Sequence, residues 1–100
     1  MDEFHRSDRF LRLAKAAAKR TGYDASKLEL ATDGKHKLQY SSPDGIRRFG
    51  ARGYGDFLYY STHEPDVADK RRTAYRARAR AAAAAGGKNS PAALALNILW

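Results

Sequence analysis

Apolar residues in the first fifth of the chain recur at helical spacing. Phe10, Leu13, Ala14 and Ala17 fall on one side, and Phe4 and Leu11 widen it. Ser7 or Asp2 supplies an N-cap, and Gly22 after Lys19-Arg20 supplies a stop. The spacing predicts one helix over 3–20, within an N-terminal amphipathic unit spanning 1–22, with Glu3, Asp8, Arg9, Arg12 and Lys15 as its solvated face. The period then changes to two. Leu28 and Leu30 alternate with Lys27 and Glu29, and His36, Leu38 and Tyr40 share one face of a second strand. Asp33-Gly34 is a hairpin signal.

Ser42-Pro43-Asp44-Gly45 is a stronger one. Proline presets φ, aspartate bonds local backbone, and Gly45 takes the left-handed position. Ile46 to Phe49 return as the third strand of an antiparallel meander. Gly50, Gly53 and Gly55 then mark sharp turns or close backbone approach. Tyr54, Phe57, Tyr59 and Tyr60 crowd beside them and are expected to cover the open face of the sheet. The meander and its glycine-aromatic segment span 27–60.

Helical spacing returns after Pro65 and runs over 66–85, ending at Gly86-Gly87. Asp66 and Asp69 suit its N-terminus. Val67, Ala74, Ala77, Ala81 and Ala84 form an apolar stripe. Arg72, Arg76 and Arg80 form a basic one at four-residue spacing, and Arg71, Tyr75 and Arg78 a mixed one. Residues 90–100 read as a short apolar helix or tail capped by Ser90. The fold expected is α+β: a small antiparallel meander flanked by an N-terminal helix, a long basic Ala/Arg-rich helix and an apolar C-terminal segment, all in one domain.

Composition sharpens this picture in two ways. The chain has 100 residues, so one thin core is available, and much of its 43% apolar content is alanine, which buries little area. The net charge is +8, and its distribution is uneven. Lys70, Arg71, Arg72, Arg76, Arg78, Arg80 and Lys88 stand in a segment with no acidic residue, whereas residues 1–69 are nearly neutral. An ordinary surface helix mixes signs, so this one points to an anionic partner. Lys70, Arg71, Arg72, Arg76, Arg78 and Arg80 are therefore the candidate anion- or partner-binding residues. Arginine brings a forked donor suited to phosphate or carboxylate.

Other chemistry finds little support. There is no cysteine, which removes disulfides and thiolate metal sites. His5, His36 and His63 lie on different elements without ligand spacing, so no metal or cofactor is expected. Gly50, Gly53 and Gly55 lack the Gly-Lys-Ser/Thr of a phosphate loop, and no small-molecule substrate is implied. Asp56 and Glu64 are more simply capping or solvated carboxylates than an acid–base pair. No signal-peptide core opens the sequence, and Pro91–Trp100 falls far short of a membrane span. Two readings of the tail stand side by side. Leu94, Ile98, Leu99 and Trp100 either fold back to complete the core or anchor in a neighbouring subunit, with Trp100 as its energetic centre.

Several of these pieces occur together, in order, in a known family. Pro43-Asp44-Gly45, Phe49-Gly50 with Gly53-Tyr54 and Asp56-Phe57, Thr62-His63 with Asp66, Arg71-Arg72 with Tyr75 and Ala77-Arg78, and finally Ala92 to Trp100 carry the likeness. Over roughly residues 27–100 the chain resembles small basic proteins of large nucleocytoplasmic DNA viruses of algae and protists. Two departures stand out. Ala79 replaces a frequent family histidine, and Ala81–Ala85 with Gly86-Gly87 replaces a polar, tryptophan-bearing loop. The resemblance implies a non-enzymatic virion protein, found in the virion or at assembly sites in host cytoplasm or nucleus. Its expected role is a minor capsid or internal-shell component whose partners are other capsid proteins. The alternative is a nonspecific nucleic-acid-binding protein that neutralises packaged viral DNA.

Overall fold

A computed structural model describes all of residues 1–100 and has the α+β architecture expected. The first helical stretch is broken in two. α1 spans Asp2–His5 and α2 spans Asp8–Arg20. Ser7 between them is extended, and its hydroxyl accepts the Phe10 N–H at 3.1 Å. A serine that can cap competes with continuing the helix. On the far side of the break Phe4 and His5 are both buried. α2 buries Phe10, Ala14, Ala17 and Ala18, and its small residues allow close packing.

β1 (Leu28–Leu30), β2 (His36–Ser42) and β3 (Gly45–Ala51) form the antiparallel meander in sequential order. Leu30 faces Leu38, Leu38 faces Phe49, and Ser42 pairs with Gly45 across the tight turn. At that turn Gly45 has φ +117°, and the Ser42 hydroxyl, not the Asp44 side chain, makes the local hydrogen bonds.

The segment after β3 departs from expectation. Tyr54 is 72% exposed, and Phe57–His63 is a helix, α3, capped by Asp56. These aromatics do not cover the sheet. α3 lies instead against α4, which spans Pro65–Gly86. The sheet is covered by α2 and by the C-terminal segment, α5 (Pro91–Leu94) followed by one π-helical turn over Ala95–Leu99. Leu28, Leu38, Phe49, Phe10, Leu94, Ile98 and Leu99 meet in a single core.

The tail is thereby resolved between its two readings. Leu94, Ile98 and Leu99 are almost fully buried in their own domain, so the anchor reading is corrected. The physical reason is area: a small sheet and an alanine-rich α2 leave the core short of large side chains, and these three complete it. Tyr23 and Lys88 help to fix the return path. The Tyr23 hydroxyl donates to the Lys88 carbonyl at 2.7 Å, and Lys88 Nζ donates to the Gly22 carbonyl at 2.6 Å.

Candidate interaction surface

α4 begins with Pro65 at its first turn, where a missing N–H costs nothing. Its inward face is unlike the one the pattern predicts. Ala68 and Ala83 are buried, and Arg72, Tyr75, Arg76 and Ala79 are half-buried between them. Val67 is half-buried, and Ala74, Ala77, Ala81 and Ala84 are exposed. The expected apolar stripe thus faces away from the core, and part of the expected basic stripe faces it.

Aromatic rings explain the reversal. The Arg72 guanidinium lies 4.1 Å from the Phe57 ring centroid, and the Arg71 guanidinium 5.0 Å from that of Tyr60. Such cation–π contacts favour arginine on a ring face. Arg72 Nε and Arg76 Nη2 both donate to the main-chain oxygen of Trp100, at 2.7 and 2.9 Å. The Trp100 indole stacks on Tyr75 with centroids 4.3 Å apart and planes 7° apart. A stripe of alanine methyls offers too little area to compete with these contacts. Burial draws the Arg76 guanidinium below its usual range, with Arg72 and Arg80 adding repulsion, and burial pushes the Tyr75 hydroxyl up.

The six predicted basic residues therefore divide. Arg71, Arg72 and Arg76 are engaged within the chain, Arg71 while still exposed. Lys70, Arg78 and Arg80 are exposed. They do not form one continuous ridge, because Lys70 lies on the outer face and Arg78 and Arg80 lie on opposite flanks. Among the turn residues, Gly45, Gly50 and Gly53 all have positive φ, and Pro43 and Asp44 form the tight turn. A Cβ on Gly50 would lie 2.7 Å from Leu99 Cδ1 and 3.3 Å from Lys37 Cδ.

A second cluster escaped the sequence reading. Asp56 is 0% exposed, Lys37 5% and His5 2%. Asp56 Oδ1 accepts the Tyr59 N–H at 2.8 Å, capping α3. Oδ2 takes Lys37 Nζ at 3.0 Å, and His5 Nε2 lies 2.8 Å away. The histidine contact has ion-pair distance without hydrogen-bond alignment, and His5 Nδ1 has no partner. One carboxylate thus ties together α1, β2 and α3. Burial pushes the Asp56 carboxyl up, but His5, the Lys37 charge and the Tyr59 N–H together outweigh it and hold it below its ordinary value. Burial draws the Lys37 ammonium down, and Asp56 partly offsets this. Asp56 before Phe57 was legible as a cap signal. Nothing in the strand pattern marked Lys37 as covered, and His5 had no signal at all.

The remaining histidines stand apart from this cluster. His36 pairs with Asp33 in the β1–β2 loop, whose carboxyl is held well below its usual range by hydrogen bonds from His36 and from the His36 and Lys35 N–H groups. His63 ends α3 stacked on Tyr59, with ring centroids 4.6 Å apart, and does not cap α4. No helix is long and apolar enough to cross a membrane. No family model, curated protein or solved structure matches the chain.

Proposed function

We propose that this chain is a non-enzymatic structural component of a virion, a minor capsid or internal-shell protein that docks on neighbouring capsid proteins through α4. The single observation that carries this reading is the outward stripe of Ala74, Ala77, Ala81 and Ala84, with Lys70 on the same face and Arg80 on its flank. A helix face of small side chains admits a second helix at short distance, and two cations beside it select an acidic one. The partner is accordingly an acidic helical surface of a capsid protein. The family likeness over residues 27–100 supplies the virion context. The apolar tail takes no part in docking, since it is consumed in the core.

Lysine-reactive cross-linking of purified particles, read by mass spectrometry, tests the reading. The expected result is a cross-link from Lys70 to an acidic segment of a capsid protein. Absence of the chain from particles refutes it.

The DNA-neutralising alternative is favoured by the +8 charge and by exposed Lys70, Arg78 and Arg80. Three phosphate contacts would give a salt slope of about −3 on duplex DNA. A slope near that value, with substantial affinity at physiological salt, supports the alternative. Weak duplex binding throughout supports capsid docking.

A further inference from the structure

A cleft of about 490 Å³ opens between α4, the end of β3 and the C-terminal turn. Tyr54, Tyr60, Tyr75 and Trp100 line it, and Arg71 and Arg78 stand on its α4 side. Lys37 also lines it, with its ammonium already paired to buried Asp56, and no acidic side chain lines the cleft. Neither Arg71 nor Arg78 is ion-paired within the chain. The walls thus combine flat apolar faces with forked donors that hold no ion pair, in a volume typical of small-ligand sites.

We propose that this cleft binds one nucleotide of a single-stranded nucleic acid, with its base stacked on the aromatic wall at Tyr54 and its phosphates held by Arg71 and Arg78. Stacking platforms beside cations are how single strands are held without regard to sequence. Tyr54 is the largest exposed hydrophobic side chain of the chain and sits on a turn bracketed by Gly53 and Gly55, which leaves its ring accessible to a base. A duplex keeps its base faces stacked on one another and cannot offer them to the rings. An acidic peptide satisfies the guanidiniums but supplies no flat face. The site meets the alanine stripe of α4 only at Ala74; it goes beyond capsid docking, and changes at Tyr54 and Arg78 test it without altering that stripe.

Trp100 is the one tryptophan, and it lies in the cleft, so its fluorescence reports occupancy. The full chain is titrated with an oligothymidylate of about ten nucleotides. Parallel titrations use the same strand annealed to oligoadenylate, and poly-glutamate. Quenching of Trp100 by the single strand alone is expected. Tyr54→Ala should weaken that binding about tenfold, and Arg78→Ala should lower its salt slope by about one. Both side chains are exposed, so both variants should keep the wild-type circular dichroism. Absence of quenching overturns the proposal. So does equal quenching by the duplex or by poly-glutamate, or undiminished affinity in folded Tyr54→Ala.

Discussion

Asp56→Asn separates the charge of the buried carboxylate from its capping role. Asparagine caps a helix about as well as aspartate, so the bond to the Tyr59 N–H survives. What the substitution removes is the counter-charge of Lys37, whose ammonium has Asp56 as its hydrogen-bond partner and is 5% exposed. Lys37 must then remain charged and unpaired, or give up its proton. Breaking a buried pair from one side costs about 3–5 kcal/mol. The second route sets a ceiling: neutralising a lysine of ordinary pKa near 10.4 costs about 4.6 kcal/mol at pH 7. That ceiling drops to about 2 kcal/mol at pH 9, because each pH unit is worth about 1.4 kcal/mol. Urea unfolding followed by helical circular dichroism should therefore show a deficit of about 3–5 kcal/mol at pH 7 that falls to about 2 kcal/mol or less at pH 9. The double variant Asp56→Asn with Lys37→Met should recover at least about 2 kcal/mol, since an apolar replacement of both partners removes the stranded charge. A deficit equal at both pH values and undiminished in the double variant would show that the cost lies in packing or capping, and would refute the electrostatic account.

Acid should weaken the wild type through the same carboxylate. The folded pKa of Asp56 is depressed, so its stabilisation is present above the unfolded value near 3.9 and is lost as pH falls through the folded one; a pH series of urea midpoints should show this acid limb, flattened in Asp56→Asn. Gly50→Ala combines a left-handed backbone at φ +76° with a methyl 2.7 Å from Leu99. The two penalties of about 1–2 and 1–3 kcal/mol should lower Tm by at least about 8 °C in calorimetry. Leu94→Ala should cost about 2–5 kcal/mol because Leu94 is a core residue; a loss below about 1 kcal/mol would restore the outward-anchor reading. Ala81→Glu should change stability by less than about 0.5 kcal/mol and Ala83→Glu by more than about 2, since only Ala83 faces the domain; equal effects in chemical denaturation would contradict the orientation of α4.

Local signals carried most of the elements. Pro43-Asp44-Gly45 specified the tight turn because its backbone angles follow from the residues themselves, and the strands on either side follow from a period of two. Pro65 and Gly86-Gly87 bounded α4 to within a residue, because the costs of helix ends are local. Ser7 and Asp56 are legible as cap residues, yet the apolar spacing alone runs α1 into α2 and merges α3 with the aromatic segment. In both places a short capped helix competed with a stronger apolar pattern.

From its order of residues alone, this chain determined an antiparallel meander between helices, one long alanine-arginine helix, and a charge excess confined to that helix and the segment after it. Each of these depends on interactions within a few residues. Tertiary structure alone decided which way α4 turns, where the tail goes, and that His5, Lys37 and Asp56 meet. Those outcomes depend on partners distant in sequence. Phe57 and the Trp100 oxygen draw Arg72 and Arg76 inward, a core short of large side chains draws in Leu94, Ile98 and Leu99, and one buried carboxylate gathers a lysine and a histidine from separate elements. A helical wheel reports which residues share a face, while the choice of the face to bury is made by whatever the rest of the chain places beside it.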